Sequence, residues 1–338
     1  MVRFGIVGTG IMGNLYARLI HEHPSAEVKA VAGITRESVE ELASKYGAQP
    51  FLKHREMYES GEIDAVYIAT PDFAHAQVTE EALEAGLHVL LEKPMTTNLQ
   101  EAERLARLAE NRQQQKAMIR FGNRWSPPYL QAKSALKNGT LGNVLAIHAG
   151  LHDTIYVPTK MLSWSYMTTP AWFLMSHTLD AAFWLLGRRA EKVYATGSKR
   201  RLLELGIDTY DLIQAQVTFK GGVTGIFSSG WVYPNSMPTT VSSFFEVVGD
   251  RGSIFLNLQH QTVALAEKAF KFPSILMSEV DGKMEGYLVH TLNAFIRAIE
   301  EELPSPVPFA DGLENVRILD AVHRSLESGE VVYLDHAR

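Results

Sequence analysis

The chain has 338 residues, 46% of them hydrophobic, enough for a large core and near the length at which single cores divide into two domains. With 38 acidic against 32 basic side chains, a formal net charge of -6, there is no basic excess to neutralise a phosphate backbone, and a nucleic-acid partner is not expected. The absence of cysteine excludes disulfides, thiolate zinc sites, iron–sulfur clusters and thiol nucleophiles. No apolar leader follows Met1 and no run reaches about 18 apolar residues, so neither export nor membrane insertion is expected, and the cytoplasm is the default compartment.

The first 120 or so residues alternate short β-branched runs with helical patterns, the signature of βαβ units around a parallel sheet buried on both faces. Strands are predicted at RFGIVG (3–8), VKAVAGI (28–34), AVYIAT (65–70) and HVLLEK (88–93), and helices at 14–22, 36–46, 73–85 and 99–112, with Gly47 and Gly86 following two of the helices. After Gly122 the rhythm changes. A helix at 127–137 precedes NVLAIHAGLH (143–152), a Trp- and Tyr-rich loop, another helix, and the alternating runs LIQAQVTF (212–219), GVTGIFSSGWV (222–232), SFFEVVG (243–249) and GSIFLNL (252–258). Hairpin signals at 220–222 and 249–252 link these runs, and amphipathic helices near 288–301 and 313–325 close the chain. The expected fold is an α/β Rossmann domain, residues 1–121, followed by an α+β domain, residues 122–338, with a large, mostly antiparallel open sheet.

GIVGTGIMG places Gly8, Gly10 and Gly13, with Ile11 and Met12 between the last two, in the G-x-G-x-x-G spacing after a strand and at the start of a helix. Glycines there permit a tight turn and close approach of a pyrophosphate to the helix N-terminus, so a dinucleotide site is predicted. The second strand ends in AGITRES, with Gly33 where an acid would read ribose hydroxyls and with Thr35 and Arg36 beyond it. Without that carboxylate, and with an arginine able to pair a 2′-phosphate, the reading leans to NADP over NAD. The apolar strand HVLL runs into Glu92, Lys93 and Pro94 at the carboxyl edge of the sheet, where such folds bind their ligand.

These features, with ATPDFAH (69–75), EKPM (92–95), FGNRWSPPY, LKNGTLGNV, SHTLDAAFWLLG, VVGDRGSI and DGLENVRILDAVHRSLESGE, resemble the Gfo/Idh/MocA family of glucose-fructose oxidoreductases and inositol dehydrogenases along essentially the whole chain. The resemblance implies that Lys93 stands against the substrate hydroxyl and the nicotinamide. A lysine beside that cationic ring should have a depressed pKa and can exchange a proton. It also implies that Glu92, Thr70, Pro71 and His75 line the cofactor.

By the same resemblance the helix WFLMSHTLDAAFWLLG (172–187) delivers a catalytic histidine, His177, with Leu174, Ala181 and Trp184 on successive turns. The family pattern D-x-x-x-H-x-x-D is matched by His177 and Asp180, but Phe173 stands where its first aspartate belongs. A carboxylate there would share the histidine's face, so Phe173 implies a substrate less polar at that point or held by other groups. Arg124, Trp125, Tyr156, Trp164, Phe173 and Asp180 are the expected substrate contacts, with His152, Asp153, Tyr166 and Tyr233 as further candidates.

Among twelve histidines only His21 and His23 lie close together, so no metal is expected. The resulting expectation is an NAD(P)-dependent oxidoreductase acting on a secondary alcohol of a sugar, cyclitol or related polyol, assembled as a homodimer or homotetramer. The alternatives are an enzyme that retains NAD through glycoside cleavage or elimination, and a non-catalytic dinucleotide sensor.

Overall fold

The computed structural model describes residues 1–258, 265–266, 270–272 and 277–334. The chain forms two compact units, one of Met1–Gly122 with Met277–Leu313, the other of Asn123–Leu276 with Glu314–Arg338.

The first unit runs β1 (Val2–Val7), α1 (Ile11–Glu22), β2 (Ala26–Ala32), α2 (Arg36–Tyr46), β3 (Gln49–Phe51), α3 (His54–Glu59), β4 (Ala65–Ile68), α4 (His75–Glu84), β5 (His88–Leu91), α5 (Leu99–Glu110) and β6 (Ala117–Ile119). Its six strands are ordered β3-β2-β1-β4-β5-β6 and all pair in parallel. Every residue of β4 is buried, as a strand covered on both faces requires. The strand order reverses between β1 and β4, which makes the carboxyl ends of these two strands the switch point at which an open α/β sheet takes its ligand. The elements β3, α3 and β6 have no counterpart in the sequence reading because runs of three to six residues are too short to show a period.

The second unit contains α6 (Pro127–Lys137), β7 (Val144–Thr154), α7 (Ser176–Leu186), β8 (Ala190–Ser198), α8 (Arg201–Glu204), β9 (Leu212–Phe219), β10 (Thr224–Tyr233), β11 (Val241–Gly249) and β12 (Ser253–Asn257). Its seven-stranded sheet is ordered β12-β11-β7-β10-β9-β8, with Val332–Tyr333 on the far edge. All neighbours are antiparallel except β7 and β10. Both predicted hairpins form, β9 with β10 and β11 with β12.

The chain returns to the first unit for α9 (Tyr287–Glu300), whose Phe295 lies against Phe4 of β1 at 6.2 Å between ring centroids. A linear reading assigns residues 122–338 to one domain, because an amphipathic helix does not announce which distant strand its apolar face will cover. The division between the units falls inside α10 (Phe309–Ser328).

Candidate dinucleotide and substrate sites

The turn between β1 and α1 is shaped by what a side chain would strike. Gly8 has φ +102°, and a Cβ there would lie 2.4 Å from the Ala69 carbonyl oxygen beyond β4. A Cβ on Gly13 would lie 1.8 Å from the Gly8 carbonyl oxygen, whereas one on Gly10 would meet nothing within 4 Å. The outer glycines are therefore demanded by the fold, and Gly10 leaves open room at the helix N-terminus. The Asn14 amide donates to the carbonyls of Thr9 (2.7 Å) and Gly10 (3.1 Å) and holds the turn. Ile11 stands 64% exposed on its rim, and Met12 is half-buried. Across the switch point the Thr70 hydroxyl is buried without a hydrogen-bond partner among the described residues. An open glycine rim and an orphan hydroxyl fit a dinucleotide.

Pro71 leads into a single 3-10 turn, Asp72–Ala74, and then α4. His75, expected to touch the cofactor, is buried at 1% exposure, with Nδ1 2.7 Å from the Pro94 carbonyl and Nε2 3.0 Å from the Thr70 carbonyl. Burial lowers its pKa, against the opposing pull of Asp72 and these two carbonyls. The ring is spent on bracing the turn after β4 against the turn after β5, so it acts on the site through Thr70 and Pro94.

The two charges that end β5 have different environments. Glu92 is 5% exposed and its carboxylate is gripped by Arg120, Nε to Oε1 at 2.5 Å and Nη2 to Oε2 at 2.7 Å. The Tyr67 hydroxyl also donates to Oε1, and the Lys93 backbone N–H to Oε2 at 3.3 Å. Burial alone would raise the Glu92 pKa, but Arg120, Lys93 and Tyr67 outweigh it and hold the carboxyl below its ordinary value. Glu92 is thus a buried counter-ion rather than a group turned toward the cofactor, and Lys93, 9% exposed, follows it directly. Arg120 escaped the sequence reading. Its signal was an arginine immediately after the apolar strand AMI, in the parallel neighbour of the strand that carries Glu92.

At the end of β2, Thr35 and Arg36 are exposed, and Arg36 pairs with Glu40 at 3.2 Å on the surface. Thr35 occupies the N-cap position of α2 and its carbonyl accepts from Ser38 Oγ at 3.0 Å. Ser38 in turn lies 2.8 Å from Thr9 Oγ1.

In the second unit α7 begins at Ser176, and the residues before it, Ala171–Met175, form a π-helical turn closed by the Ser176 N–H on the Ala171 carbonyl. The expected continuous helix through Leu174 and His177 is therefore corrected. The wider turn breaks the four-residue register, and Phe173 does not simply replace a carboxylate one helical turn before His177. Phe173 packs edge-on against Trp164 (6.0 Å) and Trp231 (5.8 Å), beside the buried cluster of Leu151, Leu174, Leu202 and Trp231. His177 is half-buried in the first turn of α7.

Asp180 and Arg124, both expected at the substrate, are brought onto each other. Asp180 is 1% exposed, and Arg124 donates Nε to Oδ2 at 3.1 Å and Nη2 to Oδ1 at 2.6 Å. Such a pair fixes the arginine head and neutralises the carboxylate. Tyr233 stacks on His152 at 4.9 Å and 6°, and burial drives the His152 pKa down to about 4, so the ring is neutral with its Nδ1 lacking a hydrogen-bond partner among the described residues. Asp153 is buried, Trp125 is half-buried, and Tyr156 and Tyr166 are exposed. Among the described residues no cluster of three or more histidine and acidic side chains could hold a metal, and no helix is long and apolar enough to cross a membrane.

A Rossmann sheet with a glycine fingerprint at its switch point, joined to an open mixed sheet with a half-buried helical histidine, defines a dinucleotide-dependent oxidoreductase. Residues 2–121 match the Gfo/Idh/MocA oxidoreductase family with its NAD-binding Rossmann fold, and residues 133–334 match that family's C-terminal alpha/beta domain. The chain belongs to this family. It is 25% identical over 330 residues to an inositol 2-dehydrogenase of Rubrobacter xylanophilus, covering 97% of this chain and 92% of that protein. It is 24% identical over 343 residues to a myo-inositol 2-dehydrogenase of Thermotoga maritima, covering 99% of each. The crystal structure of scyllo-inositol dehydrogenase from Lactobacillus casei with bound NAD(H) and scyllo-inositol shares the fold at TM-score 0.83 and 20% identity, over 98% of this chain and 99% of that one. Neither the retained-NAD reading nor the sensor reading gains support from these relatives.

Proposed function

We propose that the protein is a cytoplasmic dehydrogenase that oxidises a secondary alcohol of a cyclitol or closely related polyol, and reduces the corresponding ketone, with NADP or NAD as its cofactor. The observation that carries this is the pairing of an open glycine turn at the switch point with a buried lysine that directly follows the Glu92–Arg120 pair at the end of β5. Gly8, Gly10, Ile11, Met12, Gly13, Thr70 and Pro71 would hold the dinucleotide, which supplies a two-electron acceptor or donor when bound.

Lys93 polarises the oxygen of the reacting hydroxyl. His177 takes the hydroxyl proton during oxidation and returns it during reduction. Placed acid–base groups of this kind contribute about 10² to 10⁴ in rate. Arg124, fixed by Asp180, stands with Trp125, Tyr156 and Trp164 at the polyol, and the three rings suit the apolar faces of a cyclitol. Residues 1–121 serve the dinucleotide and residues 122–338 the polyol.

The reading includes a homodimer or homotetramer formed through the outer face of the second unit's sheet. Ile226, Phe244 and Phe255 are 49%, 37% and 69% exposed there, on three strands of one sheet. These rings and the Ile226 side chain share the face with the His148–Glu246 pair, a mixed apolar and charged surface suited to a second copy of the chain.

The test is nicotinamide absorbance with NAD and NADP against a panel of inositols, aldoses and ketoses. Reduction with a cyclitol is the expected result. Binding of cofactor with no absorbance change across the panel would refute the dehydrogenase assignment.

A further inference from the structure

The segment after β2 carries an inference about which dinucleotide this chain selects, and it rests on the cofactor reading above. In folds of this kind a carboxylate about 20 residues beyond the fingerprint binds the ribose hydroxyls and repels a 2′-phosphate. Here that place belongs to Gly33, directly after β2. A Cβ on Gly33 would lie 2.9 Å from Val39 Cγ2, and 3.4 Å from the Cγ2 of Thr9 in the glycine turn itself. The second contact puts position 33 beside the dinucleotide loop. The first shows why it has no side chain: Val39 is fully buried in α2, so its methyl cannot swing aside as an exposed chain would.

We propose that Val39 is a specificity-determining residue, which by filling the space above Gly33 keeps a ribose-reading carboxylate out of the site and leaves the chain selective for the 2′-phosphorylated dinucleotide. Arg36 is the countercharge. Its present partner Glu40 is half-exposed, and an exposed pair of that sort is weak, so a phosphate competes for the guanidinium readily. The Thr9 and Ser38 hydroxyls, 2.8 Å apart on the same rim, are neutral and add no negative charge. Ile34, fully exposed next to Gly33, is apolar and adds no negative charge there either.

Calorimetric titration with NAD and with NADP, together with thermal midpoints, tests this on the purified wild type and on Gly33→Asp, Val39→Ala, the double variant and Arg36→Gln. Wild type should bind NADP more tightly than NAD, and Arg36→Gln should lower the NADP-to-NAD affinity ratio about tenfold. Gly33→Asp should lower the thermal midpoint and weaken both dinucleotides. Adding Val39→Ala should recover part of that midpoint, a non-additive pair of penalties, and yield a protein that prefers NAD. A Gly33→Asp protein with the wild-type midpoint and a preference for NAD overturns the role of Val39. Strict additivity of the two midpoint shifts overturns it as well, and so does a double variant that does not fold when Gly33→Asp alone does not. If wild type prefers NAD while the two substitutions still couple, the 2′-phosphate reading and the assignment of Arg36 fall, and only the packing relation stands.

Discussion

The two candidate sites are built on different plans. At the switch point of the first unit the main chain makes the site: a Cβ on Gly8 would strike the Ala69 carbonyl and one on Gly13 the Gly8 carbonyl, so these two positions admit only glycine. In the second unit side chains make it, through the Arg124–Asp180 pair, the His152–Tyr233 stack and the edge-on run of Trp164, Phe173 and Trp231. A backbone site prescribes its residues locally and leaves a motif. A side-chain site depends on which distant residues meet, and a single wide helical turn, Ala171–Met175, is enough to change the register. Both units share one device, a buried Arg–carboxylate pair next to the residue proposed for chemistry: Glu92 directly precedes Lys93, and Asp180 lies one turn after His177.

The comparison breaks most sharply if one of the two proposed acid–base groups is idle. Lys93→Ala and His177→Ala should each lower kcat by about 10² to 10⁴, with His177→Ala still binding dinucleotide as wild type does. Steady-state rates with calorimetry decide this, and near-normal turnover of either variant removes that residue from the mechanism. Next come the ion pairs. Arg120→Met strands the buried Glu92 charge and should cost about 3–5 kcal/mol in urea unfolding, while Glu92→Gln in the same background should recover part of it. An unchanged unfolding midpoint would mean that Glu92 is not held as described.

Truncating Phe173 to Ala sharpens the contrast from the other side. The ring is only partly buried, so the loss should be about 2 kcal/mol, below the range for a core phenylalanine. A loss in the full core range would show that Phe173 is cluster and not substrate wall.

A further contrast is the pH dependence of stability, which is spread over several pH units. Burial lowers the pKa of His152, and of His323 in α10, whose ring stacks on Trp172 at 4.7 Å, to about 4, below the ordinary value near 6.5. The unfolded chain therefore binds more protons across that window. Stability is full above about pH 6.5 and falls as the pH drops toward 4, by up to about 1.4 kcal/mol per pH unit for each histidine. Thermal midpoints of wild type and His323→Gln between neutral and acidic pH should converge on acidification, and parallel curves would contradict the burial of that ring.

Much of the first unit was legible because its strands are buried on both faces and write themselves as apolar runs, while the glycine spacing encodes a turn that tolerates little else. Lys93 could be proposed because the strand before it ends at the edge where such sheets bind ligands and because EKP resembles the family's motif. Arg120 could not, since only sheet order makes β6 the neighbour of β5. Likewise Gly33 read as a missing acid, but the valine that excludes one sits six positions on and acts through packing.

The sequence by itself determined the parallel sheet, the dinucleotide turn, the alternating runs of the second sheet and the residue types able to move a proton, since each of these is set by periodicity or backbone sterics over a few neighbouring positions. Only the tertiary structure decided that Glu92 and Asp180 are spent on arginines, that His75 braces two turns, that Phe173 leans on two tryptophans and that α9 returns to cover β1. Those outcomes depend on contacts between residues far apart in the chain, where burial and charge pairing choose the partner and local pattern carries no record of the choice.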